Sequence, residues 1–164
     1  MKYIAYGSNI NLRQMAYRCP NSKVIGTGYI EGWKLYFNYH ADISYTNNSN
    51  DIVPVLIWDI ADEDWENLDM YEGFPNYYTI TKIKTNFLNE SGAVYKTEKC
   101  IAYIMTDRKI QNNMFSTPDD GYVEIIIEGY LENNMDIEYI FQALDYSHRK
   151  QAEIIKMLYE KGLY

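Results

Sequence analysis

The feature that most narrows the fold of this chain is a change of hydrophobic period at Pro118: before it apolar residues alternate or form short runs, and after it they recur at helical spacing. In the first part, Lys23–Ile30 and Trp33–Asn38 read as two strands joined at Glu31-Gly32. Trp33, Leu35 and Phe37 alternate with Lys34, Tyr36 and Asn38, which predicts a hairpin with one buried face. Ile52 to Ile60 is apolar nearly throughout, as in a strand covered on both sides, and Pro54 keeps its beginning out of central pairing. Tyr77–Thr85 and Lys99–Met105 supply two more strands around the polar turn near Asn89-Glu90-Ser91-Gly92. After Pro118, Tyr122, Ile125, Ile126 and Gly129 share one helical face, and a second helix runs from Asp136 toward Lys161. This order predicts an α+β fold: a mostly antiparallel, strongly curved sheet or small barrel with helices packed on it. No repeat or linker divides the chain, so a single domain over 1–164 is expected.

Of the 164 residues, 47% are apolar, ample for a core. A net charge of −8 lacks the basic footprint that nucleic acid or an anionic membrane surface requires, so neither partner is expected. No run of about 18 apolar residues argues for a membrane span, and the short apolar stretch after Lys2 does not resemble an export signal, so a cytoplasmic location is expected. Cys19 and Cys100 form no Cys-x-x-Cys pair and have only His40 and His148 as companions. Neither a zinc site nor a disulfide framework follows, and both thiols are expected to be reduced and buried. The 18 tyrosines suit half-buried strand positions, where the ring packs and the hydroxyl finds a partner.

Two short segments carry the chemistry. Tyr3-Ile4-Ala5-Tyr6-Gly7-Ser8-Asn9 is an apolar strand running into a turn whose residue types can leave several backbone N–H groups facing a ligand. Asn11 follows as the cap of a short helix through about Tyr17, with Gln14 at the reach-back position of a capping box and Pro20 closing it. The second segment, Leu68-Asp69-Met70-Tyr71-Glu72-Gly73, ends a helix that Asp62 can cap. Trp65, Leu68 and Tyr71 lie on its face, Glu72 where helix becomes loop, and Gly73 at the C-terminal stop. Read singly, a Gly-Ser-Asn turn is more often a plain turn and a Glu before a C-terminal Gly a solvated helix end, while periodicity alone fits Tyr122 equally well as a core residue of its helix face.

Together, in this order and spacing, the segments resemble the gamma-glutamylcyclotransferase-like family (AIG2-like and BtrG-like proteins). Further matches are Arg18-Cys19-Pro20, Trp58, Tyr103-Ile104-Met105-Thr106, and Pro118 followed by Tyr122 and Gly129. Asp119-Asp120-Gly121 departs from the family, where a Ser often follows the Pro. The resemblance implies a mixed β-barrel with flanking helices and a small-molecule gamma-glutamyl substrate. It also implies a reaction without cofactor or metal, in which the substrate's α-amino group attacks its own γ-carbonyl and releases 5-oxoproline and an amine. Carried over, Glu72 looks like the catalytic acid/base. Tyr3, Ile4, Ala5, Tyr6, Gly7, Ser8 and Asn9 resemble the substrate-binding strand and loop, and Tyr122 the tyrosine closing the pocket.

An ordinary Glu is a weak base, so this role requires partly apolar surroundings that raise its pKa, with Trp65, Tyr71, Phe74, Tyr77 and Tyr78 close by in sequence. Backbone N–H groups around Gly7, Ser8 and Asn9 are expected to serve the oxyanion without any cation. Two other readings use the same residues: a non-catalytic small-ligand-binding module, and an acyltransferase or amidohydrolase with water or an external amine as acceptor. His40 reads as a loop or strand-end residue and His148 as solvated surface; neither neighbours a Ser or Cys motif, which disfavours a hydrolase triad.

Overall fold

The computed structural model describes residues 1–113 and 115–163. Seven strands occur among them: β1 (Lys2–Ala5), β2 (Lys23–Glu31), β3 (Trp33–Asn38), β4 (His40–Tyr45), β5 (Ile52–Asp59), β6 (Tyr78–Leu88) and β7 (Val94–Met105). Five of them close a barrel in the order β1-β5-β2-β6-β7. All its ladders are antiparallel except the closing one, where β1 meets β7 in parallel through Tyr3 and Ile101. The fold is therefore the α+β mixed barrel with flanking helices that the sequence and its resemblance imply.

β5 is the hub. Val53, Val55, Leu56 and Ile57 are wholly buried, as a strand covered on both faces requires. Its first half, including Pro54, pairs with β2 alone, and β1 joins only from Leu56 to Asp59. The missing proline N–H thus falls where no second ladder asks for it.

The predicted hairpin between Lys23–Ile30 and Trp33–Asn38 is not formed. Gly32, at φ 78°, does turn the chain, but β2 stays in the barrel while β3 pairs with β4 in a separate two-stranded sheet. The turn of that true hairpin is Tyr39 at φ 70°, a residue that carries no turn signal.

Five α-helices are present among the described residues: α1 (Leu12–Arg18), α2 (Trp65–Glu72), α3 (Asp107–Asn113), α4 (Asp120–Glu132) and α5 (Glu138–Glu160). Asp62 is not the cap of α2; it opens a 3₁₀ turn, Asp62–Asp64, that leads into the helix. Asp64 turns its carboxylate away from the helix to accept hydrogen bonds from the backbone N–H of Asn21 and the Ser22 hydroxyl. α5 packs on β3, where Ser147 Oγ accepts from Phe37 N at 2.7 Å and donates to Ala143 O. Cys19 and Cys100 are buried and unpaired. Among the described residues no helix is long and apolar enough to cross a membrane.

Candidate active site

β1 delivers the first arm of the site. After Ala5 the chain leaves the barrel into a 3₁₀ turn, Ser8–Ile10, closed by Ile10 N to Gly7 O at 3.0 Å and Asn11 N to Ser8 O at 3.1 Å. The first N–H groups of such a turn have no partner within it. Asn11 then caps α1 by accepting from Gln14 N at 3.1 Å, but the Gln14 side chain does not complete a capping box; its Oε1 accepts from Arg18 at 2.6 Å.

Asn9 is held from every side. Its Oδ1 accepts from Arg18 at 2.5 Å, its backbone carbonyl from the Trp58 indole at 3.1 Å, and its Nδ2 donates to Tyr3 OH at 2.9 Å and to Glu72 Oε1 at 2.6 Å. Those partners admit one orientation of the amide.

α2 delivers the second arm. Gly73, at φ 64°, is the left-handed stop that a side chain would strain, and Phe74 N returns to Asp69 O at 3.0 Å. Buried Leu68 and a hydrogen bond from Tyr103 OH to Asp69 fix the helix against the barrel. Glu72 thereby points its carboxylate inward, with Tyr3 OH at 3.5 Å, the outer limit of a hydrogen bond. Burial pushes the Glu72 pKa up to about 7, with Asp69 adding to the rise and Arg18, Asn9 and Tyr3 opposing it. The negative end of α2 acts in the same upward direction.

Tyrosines form the wall. Tyr3, Tyr6, Tyr78, Tyr103 and Tyr122 line a small cavity with Gly7, Ser8, Asn9, Ala41 and Glu72. Tyr6 donates to Tyr103 O, Tyr78 to Ala41 O, and Tyr122 OH accepts from Ala41 N at 3.1 Å. Burial raises the pKa of all five phenols, so they remain protonated at neutral pH. Beyond Glu72 the cavity opens into a vestibule of about 300 Å³ that adds His40, Tyr71, Gly73 and Tyr77. A larger groove of about 370 Å³ lies between β3 and α5; it does not include Glu72, and its charged residues are engaged in the Lys34–Asp51 and Arg149–Asp145 pairs.

Of the residues singled out in the sequence, Glu72, Tyr3, Tyr6, Gly7, Ser8, Asn9 and Tyr122 meet at this cavity. Ile4 and Ala5 do not line it; both are wholly buried in the core. The aromatic surroundings of Glu72 come chiefly from the barrel and α4, whereas Tyr71 and Phe74 are 47% and 39% exposed. A cation is present after all. Arg18 bonds Asn9 and Ser8 Oγ, and its guanidinium carbon stands 3.5 Å from the Tyr71 ring centroid. In the sequence Arg18 stands out only within Arg18-Cys19-Pro20; its spacing of four from Gln14 on a short helix is the available signal. Tyr78 stands out as a sequence neighbour of Glu72 and Tyr103 within a motif, but the pairing of β6 with β7 that brings them to one wall carries no local signal, nor does His40.

A family model described as gamma-glutamyl cyclotransferase, AIG2-like, matches residues 3–123, from β1 into the first turn of α4. The chain belongs to that family. Similarity to a human protein named gamma-glutamylcyclotransferase is 26% identity over 176 positions, 98% of this chain and 88% of the relative. A solved structure described as gamma-glutamyl cyclotransferase superposes with a TM-score of 0.67 at 22% identity, over 92% of this chain and 86% of that one. YkqA from Bacillus subtilis gives 0.66 at 16% identity, over 90% of this chain and 54% of its own. These two likenesses bear on the fold. Membership of the gamma-glutamyl cyclotransferase family supports cyclotransferase-type activity in general.

Proposed function

We propose that this member of the family converts a gamma-glutamyl amine or amino acid into 5-oxoproline and the free amine, with Glu72 as the proton shuttle. The observation that carries the reading is the Glu72 carboxylate, held by Asn9 at the junction of an inner cavity and an open vestibule, with its pKa raised to about 7. A carboxyl group of that pKa both accepts and returns a proton near neutrality.

The γ-glutamyl chain lies folded where the inner cavity joins the vestibule, so amine and carbonyl of one molecule meet at an effective molarity of about 10⁵ M or more. Glu72 takes a proton from the α-amino nitrogen as it bonds to the γ-carbonyl carbon. The oxyanion lies against N–H groups of the Gly7-Ser8-Asn9 turn. When the carbon–nitrogen bond to the leaving amine breaks, Glu72 returns the proton to that nitrogen. The protonated tyrosines donate hydrogen bonds but do not compete as bases.

Glu72→Gln tests this, because the amide keeps the shape and still accepts from Asn9 but carries no shuttled proton. Formation of 5-oxoproline from a panel of gamma-glutamyl amines is expected to fall by roughly 10²–10⁴-fold, while binding of an unreactive glutarate-like analogue persists. Near wild-type turnover in the variant would remove Glu72 from the mechanism. No 5-oxoproline from any member of the panel with the wild-type protein would remove the cyclotransferase reading itself.

A further inference from the structure

The inner cavity and the vestibule share Ser8, Glu72, Tyr78 and Tyr122, so a molecule reacting at Glu72 extends from one into the other. The inner cavity has only about 30 Å³ of free space, so the γ-glutamyl part reaches from it into the near end of the vestibule, with the γ-carbonyl at Glu72, and the departing amine occupies the outer side. That side is already built. His40 Nδ1 and Tyr77 OH are hydrogen-bonded at 2.8 Å, the His40 ring meets Tyr122 edge-on at 5.0 Å, and Tyr77 stacks on Tyr78 at 5.1 Å. Rings braced in this way offer flat apolar surface that needs no ordering when a ligand arrives.

Glu72 is the single carboxylate among the residues lining the vestibule. Two cations already occupy aromatic rings there: Lys109 Nζ lies 4.5 Å from the Tyr77 centroid and the Arg18 guanidinium 3.5 Å from that of Tyr71. Burial lowers the His40 pKa, so its imidazole is neutral at pH 7 and presents a ring rather than a charge. A leaving group with its own ammonium would meet the like charges of Lys109 and Arg18. One with an aromatic or broad aliphatic side chain and no added positive charge would bury that surface against His40 and Tyr77.

The geometry points to the vestibule as a leaving-amine subsite in which His40 and Tyr77 select gamma-glutamyl compounds whose amine carries a flat apolar side chain and no second positive charge. The inference rests on the cyclotransferase reading above and narrows its substrate class.

The test measures kcat/KM for 5-oxoproline release from γ-glutamyl-phenylalanine, γ-glutamyl-alanine and mono-γ-glutamyl-1,5-diaminopentane. Wild-type protein is expected to favour the phenylalanine compound over the alanine compound by about tenfold or more and to rank the diamine last. In His40→Ala and Tyr77→Leu the phenylalanine-to-alanine ratio is expected to fall toward one. Turnover of the alanine or diamine compound equal to or faster than that of the phenylalanine compound overturns the subsite while leaving the cyclotransferase reading intact. So does a ratio that survives both substitutions in folded protein. Absence of 5-oxoproline from all three overturns both. The wild-type ratio decides the matter even where a variant fails to fold.

Discussion

At the scale of single residues, the proposed proton shuttle Glu72 is joined to Arg18 through the Asn9 amide. The groups facing Glu72 come from every neighbouring element: Tyr3, Tyr6 and Asn9 from the N-terminal arm, Arg18 from α1, Asp69 from its own helix, Tyr78 and Tyr103 from the barrel, and Tyr122 from α4. In the proposed mechanism deprotonated Glu72 is the base, so kcat/KM is expected to rise with pH through a limb near 7. Removing the cation in Arg18→Met disfavours the carboxylate, and the limb is expected to move up by about half a unit or more. Arg18→Lys keeps the charge and loses the fork that orients Asn9, so its limb stays near wild type while kcat falls; a pH–rate profile of both variants separates the two roles. The same ionisation predicts a stability effect. The folded-state pKa of about 7 lies above the ordinary 4.5, so the stability linked to this group is full below 4.5 and is lost as pH rises through 7. Glu72→Gln has no such loss. It is expected to unfold at higher temperature than wild type at pH 8, by the equivalent of ~1–3 kcal/mol, with the gap shrinking toward pH 5 in thermal melts.

At the scale of elements, the site depends on a close approach that no side chain contact replaces. A methyl group on Gly129 of α4 would sit 2.6 Å from Asn11 N and 2.8 Å from the Ile10 carbonyl carbon, both backbone atoms that cannot swing aside. Gly129→Ala must therefore push α4 off the 3₁₀ turn that carries Ser8 and Asn9. A destabilisation of about 1–3 kcal/mol is expected, together with a lower kcat in protein that remains folded; denaturant melts and 5-oxoproline assays read the two. The same element shows why the sequence was readable in some places and mute in others. The helical face of Tyr122, Ile125, Ile126 and Gly129 was legible because packing follows period there, and Glu72-Gly73 was legible because a left-handed stop demands glycine. β4 was not legible. Its His40-Ala41-Asp42-Ile43 run carries a buried carboxylate, satisfied by Tyr36 OH and Met105 N, where a strand pattern would place an apolar residue. α3 escaped as well, since Asp107-Arg108-Lys109-Ile110-Gln111 shows no apolar stripe.

At the scale of the whole molecule, the cavity is assembled from β1, β4, α2, β6, β7 and α4, so it exists only when the barrel is closed. The outer part of α5 contributes nothing to it. Its buried residues are Ile140, Ala143 and Ser147, whereas Ile155, Met157 and Tyr159 are exposed. Deleting residues 152–164 is expected to lower Tm by no more than about 5 °C and to leave 5-oxoproline formation within about twofold of the full chain; a larger loss would assign this stretch a structural role. Barrel closure was the part of the fold that pattern alone could not supply, because one parallel contact between Tyr3 and Ile101 joins strands with no shared local signal. That contact has a temporal side. β1 leaves the ribosome long before β5 and longer still before β7, and at about 5–20 residues per second its Tyr-Ile-Ala edge waits on the order of 5–20 seconds for the neighbour that completes the barrel. During that interval an apolar strand with open hydrogen-bonding edges is exposed to other nascent chains, so the strand that leads into the candidate site is also one that gains from shielding at birth.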